Sequence, residues 1–348
     1  MVNKIRILHV LKSNSFSGAE NVVITICRNI REDYECAYAS VDGPIADWLE
    51  KEKIAFYPMY AFSINELRRV IREYAPDIIH AHDFSASVYC AYCKKGCHLI
   101  SHLHNNPPWI SKWGVKSVLY RLFLGKIEKV VTVSTAIGQE AVFLKYHKER
   151  IVMIKNPIDD IYIEQKALEY QVGEFDILFL GRITEQKNPQ KFIRVVDYIR
   201  KQGIDVRAIM VGDGNLTTEC RKLILEMDLQ TNIQMIGFCK NPYPYIKKAK
   251  MLLVTSEWEG YGLVAGEALL LGTPVLASEV GGLKMLLKKM DFALCSSEQE
   301  LCEKAVELLE NEENYKKYKN ELIAEKDQFK NLKGYMHTIE SIYRELVK

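Results

Sequence analysis

The sequence predicts an α/β protein built from two Rossmann-like domains, each a doubly wound parallel sheet. Short β-branched runs alternate with amphipathic stretches, which is typical of βαβ units. The chain has 348 residues, more than one hydrophobic core usually organises. The alternation breaks once near the middle of the chain and then restarts. We therefore expect two sheets that face a central cleft.

The first half contains enough alternating segments to form a doubly wound sheet by itself. Strands are expected at the β-branched runs, and helices where apolar residues recur with a period of 3.6. The predicted strands are 5–10, 36–40, 55–59, 78–81, 99–102, 130–133 and 151–154, and the predicted helices include 19–30, 46–52 and 85–94.

A polar stretch at 156–171, with Asn156-Pro157 and paired aspartates, is typical of a connection between domains. The residues from 298 onward have helical spacing, and we expect the end of the chain to cross back onto the first domain. The expected domains are 1–160 and 172–328, followed by a C-terminal helix at 329–348. The predicted strands of the second half are 175–180, 208–211, 233–236, 251–254 and 274–277.

Composition excludes several classes of protein. Hydrophobic residues make up 48% of the chain and charged residues 26%, which is typical of a folded globular protein. The net charge of +2, from 47 basic and 45 acidic residues, gives no reason to expect nucleic acid binding. No apolar run reaches the roughly 18 to 20 residues of a membrane span, and segment 5–11 is shorter than a signal-peptide core. We therefore expect a cytoplasmic protein whose nine cysteines are reduced.

The strongest functional signal follows the predicted strand 251–254 and opens a predicted helix at about 261–271. Here Glu259 and Glu267 flank the glycine-rich turn Gly260-Tyr261-Gly262-Leu263. Ligands of open α/β sheets bind beyond the carboxyl ends of the strands, and glycine amides at a helix N-terminus suit a diphosphate. Glu267 is then placed to accept hydrogen bonds from a ribose diol, and Glu259 to hold sugar hydroxyls.

Two carboxylates beside a glycine turn are more often solvated surface groups, so the surrounding residues decide the interpretation. The segment continues into Gly272-Thr273-Pro274-Val275, and the whole resembles the E-x7-E signature of glycosyltransferase family 4. The resemblance implies the GT-B architecture, a retaining transfer and a nucleotide-diphosphate sugar as donor. Its motifs extend in the family's order along nearly the whole chain.

A second motif, Gly181-Arg182-Ile183-Thr184-Glu185-Gln186-Lys187, follows the predicted strand 175–180. A transferase that breaks a sugar–phosphate bond must stabilise the departing diphosphate, either with a divalent metal or with fixed cations. The chain contains no Asp-x-Asp triplet, the metal-binding signature of the other large glycosyltransferase fold. We therefore expect Arg182 and Lys187 to replace a metal, and we expect no metal and no cofactor. Two such cations by themselves would more often form an exposed basic loop.

Two further glycine turns fall in the family's order. Gly212-Asp213 follows the predicted strand 208–211, although such a turn more often only reverses the chain. Gly281 and Gly282 are expected to offer backbone amides to the phosphates. The sequence departs from the family at Met285, where a glutamate is usual.

The first half contributes a turn that resembles the Gly-Gly-Ala-Glu turn of the same family. Ser17-Gly18-Ala19-Glu20 follows the first predicted strand, with serine in place of the first glycine. The resemblance places Gly18 near the donor. Ser17 and Glu20 also fit a capping box at a helix N-terminus, and both interpretations are compatible.

Histidines follow two predicted strands of the first half. His104 comes after strand 99–102 and matches a functionally important histidine of the family, expected to contact the transferred sugar or to orient the acceptor hydroxyl. His80 and His82, at the end of strand 78–81, are secondary candidates for lining the same cleft. For any single histidine the alternative is a hydrogen-bonded group of the core.

The resemblance implies transfer of a hexose or N-acetylhexosamine, with UDP as the expected nucleotide, to an acceptor hydroxyl. The expected setting is the synthesis of bacterial cell-surface polysaccharide or of a lipid-linked glycan. Two alternatives remain open: a nucleotide-sugar 2-epimerase of the same architecture, and a non-catalytic sugar-binding subunit. The combination of Arg182 and Lys187 with Glu259 and Glu267 favours the transferase.

Two local patterns indicate further interactions. Cys90, Cys93 and Cys97, followed by His98, have a spacing that binds zinc in some proteins, although helix packing explains them as well. The segment from Trp109 to Lys129 is basic and aromatic. It fits either a helix that rests on an anionic membrane, at the inner face of the plasma membrane, or an ordinary surface helix with snorkelling lysines.

Overall fold

The computed structural model describes residues 4–348, which divide into two compact units. The first unit runs to Pro157 and also includes Leu332–Lys348, and the second is Ile158–Asn331. Each unit contains one parallel sheet, as the alternating sequence predicts. The polar stretch 156–171 is not all linker, because Asp160–Lys166 forms a helix of the second unit.

The strands and helices of the first unit alternate along the chain. All seven predicted strands are present, with bounds that differ from the prediction by at most two residues. The elements are β1 Ile5–Val10, α1 Gly18–Asn29, β2 Tyr34–Val41, α2 Ala46–Lys51, β3 Ala55–Met59, α3 Ile64–Tyr74, β4 Ile78–His82, α4 Asp83–Cys93, β5 His98–Leu103, α5 Val115–Phe123, β6 Lys129–Thr132, α6 Thr135–Glu140 and β7 Ile151–Met153.

Helix α3 illustrates how local sequence sets these bounds. The Ser63 hydroxyl accepts a hydrogen bond from the Glu66 amide at 3.3 Å, which caps the first turn. Leu67, Val70 and Tyr74 follow at helical spacing and are buried against the sheet side of the unit. The helix ends at Ala75, which has a left-handed conformation with φ of 49°.

The second unit repeats the alternation with shorter strands. Its last strand, of two residues, had no recognisable signal in the sequence. The elements are α7 Asp160–Lys166, β8 Ile177–Leu180, α8 Pro189–Lys201, β9 Ala208–Val211, α9 Thr217–Glu226, β10 Ile233–Gly237, α10 Tyr243–Lys248, β11 Met251–Val254, α11 Leu263–Leu270, β12 Val275–Ser278, α12 Gly281–Leu286, β13 Leu294–Cys295, α13 Glu298–Glu310 and α14 Glu312–Ala324.

Both sheets have the strand order of a doubly wound fold. The first has the order β3-β2-β1-β4-β5-β6-β7 and the second β10-β9-β8-β11-β12-β13, with parallel neighbours throughout. The order therefore reverses between β1 and β4 in one unit and between β8 and β11 in the other. In open α/β sheets, ligands bind at the carboxyl ends of strands beside such a reversal.

The last helix, α15 Leu332–Val347, packs on the first unit, as expected. The Tyr34 hydroxyl donates to the Glu340 carbonyl at 3.1 Å, and Lys129 pairs with Glu345 at 2.8 Å. The tail from residue 298 is not helical throughout, because turns separate α13, α14 and α15. No helix within residues 4–348 is both long enough and apolar enough to span a bilayer.

Two pairs of glycines bring backbone segments of the second unit into direct contact. Gly212 has φ of 138°, and a Cβ there would lie 1.9 Å from the Gly181 carbonyl oxygen. A Cβ on Gly282 would lie 2.2 Å from the Gly260 carbonyl oxygen. Only glycine permits these approaches, so the turns after β8, β9, β11 and β12 are held together by backbone packing.

Substitution of Gly282 by alanine is expected to destabilise the second unit, because the new methyl group meets backbone atoms that cannot rotate away. We expect a loss of about 1 to 3 kcal/mol, measured as a lower urea midpoint by far-UV circular dichroism. Gly173→Ala is the matched control, since a Cβ there meets nothing within 4 Å. Equal midpoints for the two variants would contradict the close packing described here.

Candidate functional site

The motifs at 181–187 and 256–267 meet at the ends of the neighbouring strands β8 and β11. Lys187 Nζ lies 2.5 Å from Glu259 Oε2, and Ser256 donates its hydroxyl to the same oxygen at 3.2 Å. The Lys187 and Glu259 side chains are only 19% and 12% exposed. Two predicted site residues, 72 positions apart in sequence, therefore form one largely buried ion pair.

Gln186 connects the same two loops. Its backbone carbonyl accepts from the Glu257 amide at 2.8 Å, and its side-chain amide donates to the Trp258 carbonyl at 3.2 Å. The amide oxygen of Gln186 accepts from Arg182 Nη2, also at 3.2 Å. Arg182 is otherwise exposed, so Gln186 orients a cation at the surface of this site. The positioning role of Gln186 is not predictable from the sequence, because an amide within a basic loop has no distinctive pattern.

Gly181, Gly212 and Asp213 lie in adjoining turns. The Gly181 amide donates to the Val211 carbonyl at 3.1 Å, and the Ile183 amide donates to the Asp213 carbonyl at 2.9 Å. The Asp213 carboxylate accepts from Thr217 Oγ1 at 2.6 Å and from the Gly214 amide at 2.8 Å, and these bonds lower its pKa. The Asp213 side chain therefore stabilises its own turn, which agrees with the chain-reversal alternative.

The glycine-rich turn after β11 is compact. Helix α11 begins at Leu263, two residues later than expected, because its N-cap Gly262 has a left-handed φ of 93°. Tyr261 is buried, and the Gly282 amide donates to the Glu259 carbonyl at 2.8 Å. The structure thus brings Gly260, Tyr261, Gly262 and Leu263 together with Gly281 and Gly282.

Glu267 lies in the second turn of α11 and is 6% exposed. Burial raises the pKa of its carboxyl group to about 8, and a hydrogen bond at 3.4 Å from the Tyr243 hydroxyl opposes this shift. A carboxyl group with this pKa is mostly protonated at neutral pH in the unliganded protein. No local pattern predicts Tyr243 as the partner of Glu267, because the two residues lie on different helices.

Gly18 and His104 belong to the first unit, which contains a cavity of about 490 Å³. Gly18 begins α1, and the next two residues, Ala19 and Glu20, line the cavity. The predicted capping box is wrong in detail. Ser17 is the N-cap residue, but its hydroxyl donates to the Glu20 carboxylate and caps no backbone amide.

His104 is held at the end of β5 by two hydrogen bonds. Its amide donates to Asp83 Oδ1 at 2.9 Å, and its Nε2 lies 2.8 Å from His82 Nδ1. Burial lowers the pKa of His104 to about 3, so the ring is neutral at physiological pH. Asp83 has φ of 64°, a left-handed conformation that non-glycine residues seldom adopt outside functional turns.

His104 is one end of a set of five stacked histidines that the sequence analysis recognised only in part. Burial lowers the pKa of His80, His82 and His102 well below the usual value. His82 lines the cavity of the first unit, but His80 does not. Its Nδ1 bonds the Tyr343 hydroxyl at 2.7 Å in the core. The i and i+2 spacing of His80 with His82, and of His102 with His104, already places these four histidines on one face of the sheet. The fifth member is His9 on β1, which was not predicted.

The suggested zinc site at Cys90, Cys93 and Cys97 is not supported. Cys90 and Cys93 are buried on α4, and Cys93 Sγ donates to the Ile64 carbonyl at 3.6 Å. Within residues 4–348, the groups of side chains close enough to share a metal ion do not include these cysteines. Helix packing explains them.

Comparison with known families agrees with this geometry. The family model described as "Glycosyl transferases group 1" matches residues 160–324, and that described as "Glycosyltransferase Family 4" matches residues 16–161. The chain belongs to glycosyltransferase family 4. Both sets of predicted site residues lie within the matched regions.

Relatives of this glycosyltransferase family member include characterised and uncharacterised proteins. It is 26% identical over 280 residues to an uncharacterized glycosyltransferase of Methanocaldococcus jannaschii, covering 71% of this chain and 69% of that protein. It is 30% identical over 173 residues, 48% of this chain and 47% of that protein, to N-acetylgalactosamine-N,N'-diacetylbacillosaminyl-diphospho-undecaprenol 4-alpha-N-acetylgalactosaminyltransferase of Campylobacter jejuni.

Solved structures confirm the GT-B fold. The Anabaena protein HepE in complex with UDP matches with a TM-score of 0.81, covering 98% of this chain and 100% of HepE at 20% identity. The sucrose-phosphate synthase of Thermosynechococcus elongatus matches with a TM-score of 0.74 at 14% identity, covering 99% of each chain.

The raised pKa of Glu267 predicts a pH-dependent stability. In the unfolded chain the carboxyl group ionises near its normal pKa, about 4.3, whereas in the folded protein it stays protonated up to about 8. The free energy of unfolding of the wild type should therefore fall, relative to Glu267→Gln, by up to about 1.4 kcal/mol per pH unit between about pH 5 and 8. Urea midpoints of both proteins across this range check the expectation, and parallel curves would contradict it.

Proposed function

We propose that this family 4 protein is a retaining glycosyltransferase that moves a hexosyl or N-acetylhexosaminyl group from a nucleotide-diphosphate sugar to an acceptor hydroxyl. The observation that carries the proposal is the contact between Lys187 and Glu259 at 2.5 Å. This contact joins the predicted diphosphate cation to the predicted sugar-binding carboxylate at the ends of two adjacent strands. A glycine turn with backbone amides lies beside it.

The proposed roles follow from charge and position. Arg182 and Lys187 neutralise the diphosphate as it departs, and the amides of Gly260 and Gly281 add hydrogen bonds to its oxygens. The Gly282 amide, expected from the sequence to do the same, instead donates to the Glu259 carbonyl at 2.8 Å. Glu259 accepts hydrogen bonds from hydroxyls of the transferred sugar. When the donor binds, Lys187 interacts with the phosphates as well as with Glu259. The ion pair is therefore the state of the site before the donor binds.

In the proposed reaction the bond between the sugar C1 and the phosphate oxygen breaks, and the phosphate retains the electron pair. The acceptor oxygen forms a new bond to C1 on the same face, and its proton passes to the departing phosphate. Fixed positive groups lower the barrier because negative charge grows on the leaving group. The reaction requires no protein nucleophile, and we propose that it requires no metal.

Three further residues have proposed roles. Glu267 binds the ribose diol, and because its carboxyl group is mostly protonated before binding, it can donate as well as accept a hydrogen bond. His104, a neutral ring, contacts the transferred sugar or orients the acceptor hydroxyl. Gly18, at the start of α1, lets backbone approach the donor.

Similar proteins support a UDP-linked donor and a glycan acceptor. HepE, of the same fold, has been crystallised with UDP-glucose. A Campylobacter jejuni relative is named for transfer of N-acetylgalactosamine to a diphospho-undecaprenol-linked sugar. We therefore propose a UDP-sugar donor and a cell-surface or lipid-linked glycan acceptor, at the cytoplasmic side of the membrane.

Replacement of either cation is expected to reduce transfer. Lys187→Ala and Arg182→Ala should each lower kcat by about 100-fold or more, because each removes a charge that stabilises the leaving diphosphate. The donor is first chosen from a panel of nucleotide sugars by the rise in melting temperature on binding. UDP release with and without acceptor then measures turnover, and the new glycosidic bond in the product should have the donor's anomeric configuration.

Lys222→Ala is the matched control, since Lys222 is 76% exposed on α9 and pairs with Glu226 at 3.4 Å, far along the chain from the proposed site residues. No turnover by the wild type with any nucleotide sugar that it binds would indicate a non-catalytic binding subunit, whereas equal, measurable turnover of wild type and Lys187→Ala would overturn the role of Lys187. An epimerised nucleotide sugar formed without acceptor would indicate the 2-epimerase. Loss of turnover with a chelator and its recovery with magnesium would overturn metal independence.

Helix α5 presents an apolar and basic surface, which supports the proposed membrane contact. Tyr120 and Ser117 are buried on its inner side, whereas Val115 and Leu122 are 79% and 71% exposed. Contiguous exposed apolar groups of this size are uncommon on soluble proteins. Lys129, counted as basic surface in the sequence analysis, instead pairs with Glu345. Other exposed apolar groups here are Trp113, Val118 and Leu119, and the exposed cations are Lys112, Lys116, Arg121 and Lys126.

Leu122→Ser is expected to weaken binding to vesicles of phosphatidylcholine and phosphatidylglycerol by roughly tenfold, because it removes a side chain that the membrane would bury. Co-sedimentation measures the bound fraction. Tyr60→Ser is the control, since Tyr60 is 95% exposed outside this surface. No binding by the wild type, or binding unchanged in Leu122→Ser, would leave α5 as an ordinary surface helix.

A further inference from the structure

A second group of side chains in the first unit has the composition of a metal site. His9 on β1, Cys27 on α1 and Cys36 on β2 each offer one ligand atom, and these atoms lie within 4.8 Å of one another. His9 is fully buried, and both thiols are partly buried and reduced. Neither the proposed donor site nor the cavity uses these three residues.

The imidazole of His9 is already oriented for a ligand. Its Nδ1 is hydrogen-bonded to His82 Nε2 at 3.0 Å. Its Nε2 is buried and makes no hydrogen bond of normal geometry, although the two thiols are close by. The Cys36 thiol interacts with this nitrogen, but thiols are weak hydrogen-bond partners, so a buried ring nitrogen that faces two of them requires an explanation. Metal-bound histidines usually hold their second ring nitrogen in a hydrogen bond like the one to His82.

The chemistry of the three donors favours zinc or a similar soft divalent ion. Two thiolates and one neutral imidazole are common zinc ligands, at about 2.3 Å for sulfur and about 2.0 Å for nitrogen. Such bond lengths place tetrahedral ligand atoms about 3.5 Å apart. Side-chain rotations that move the ligand atoms by about 1 Å therefore suffice to bring all three around one ion. The two thiolate charges also offset the charge of a buried divalent cation.

Two all-histidine groups also have atoms close enough for a metal, but they fit one less well. These are His9, His80 and His82, and His82, His102 and His104. Each group contains one hydrogen bond between its own rings, His9 to His82 at 3.0 Å in the first and His82 to His104 at 2.8 Å in the second, which a metal would have to break. Each group also consists of imidazoles alone, so it offers no anionic ligand to offset the charge of a buried divalent ion. The mixed group offers two thiols that can ionise.

We propose that His9 Nε2, Cys27 Sγ and Cys36 Sγ form a zinc site, with a water molecule as fourth ligand. The site joins α1 to strands β1 and β2. Helix α1 begins at the Ser17–Glu20 turn that lines the cavity and reaches Cys27 two turns later. A bound ion therefore fixes the helix that forms one wall of the cavity.

Cobalt binding by the full chain tests this site. After removal of metal with a chelator, Co²⁺ should bind with a stoichiometry of one and give a thiolate-to-metal charge-transfer band. Zn²⁺ should displace it and raise the melting temperature. Cys27→Ser and Cys36→Ser should each weaken Zn²⁺ binding by roughly 100-fold and lose the band. Cys90→Ser, which alters a buried thiol of α4 in the same unit, should behave like the wild type.

Several results would overturn the proposal. One is a wild-type protein that binds no Co²⁺ or Zn²⁺ while circular dichroism shows it to be folded. Another is Co²⁺ bound without a thiolate band and lost in His102→Gln, which would assign the metal to the histidine stack. A third is a Cys27–Cys36 disulfide in protein purified without reductant, seen as a mass two hydrogens lower. The first and third results come from the wild type alone, so a variant that fails to fold does not decide the question.

Discussion

The ion pair between Lys187 and Glu259 is the contact on which the candidate donor site depends. Burial of either charge alone would cost free energy, because a charge removed from water is stabilised only by a close partner of opposite charge and by hydrogen bonds. Here the partners are 2.5 Å apart, and Ser256 satisfies the same carboxylate oxygen. The pair therefore holds the loops after β8 and β11 in a fixed position relative to each other. It also keeps a cation and an anion available to a ligand that carries both phosphates and hydroxyls.

Backbone packing makes this arrangement rigid. Gly212 lies against the Gly181 carbonyl and Gly282 against the Gly260 carbonyl, at distances that exclude any Cβ. The loops therefore cannot separate without losing van der Waals contact and hydrogen bonds such as Gly282 amide to Glu259 carbonyl. Such rigidity suits a site in which positive groups must already be in place as negative charge develops.

The first unit is organised on a different electrostatic principle. Burial keeps the rings of His80, His82, His102 and His104 neutral, so hydrogen bonds between imidazoles replace ion pairs. One chain of hydrogen bonds runs from His102 through His80 to Tyr343 of α15, and another runs from His9 through His82 to His104, beside the Asp83 turn. A neutral ring at this position can accept or donate one hydrogen bond to a hydroxyl group. The same interior leaves His9 Nε2 beside two thiols.

The sequence by itself determined the two parallel sheets, because a period of two or 3.6 in the apolar residues is a local property of each segment. It also determined the glycine turns and the positions of Arg182, Lys187, Glu259 and Glu267, since these residues follow strands whose carboxyl ends share one edge. The strand order and packing alone decided that Lys187 pairs with Glu259, that Tyr243 faces Glu267 and that His9 meets Cys27 and Cys36. These contacts join residues far apart in sequence, and pKa values such as that of Glu267 depend on burial that no local pattern records.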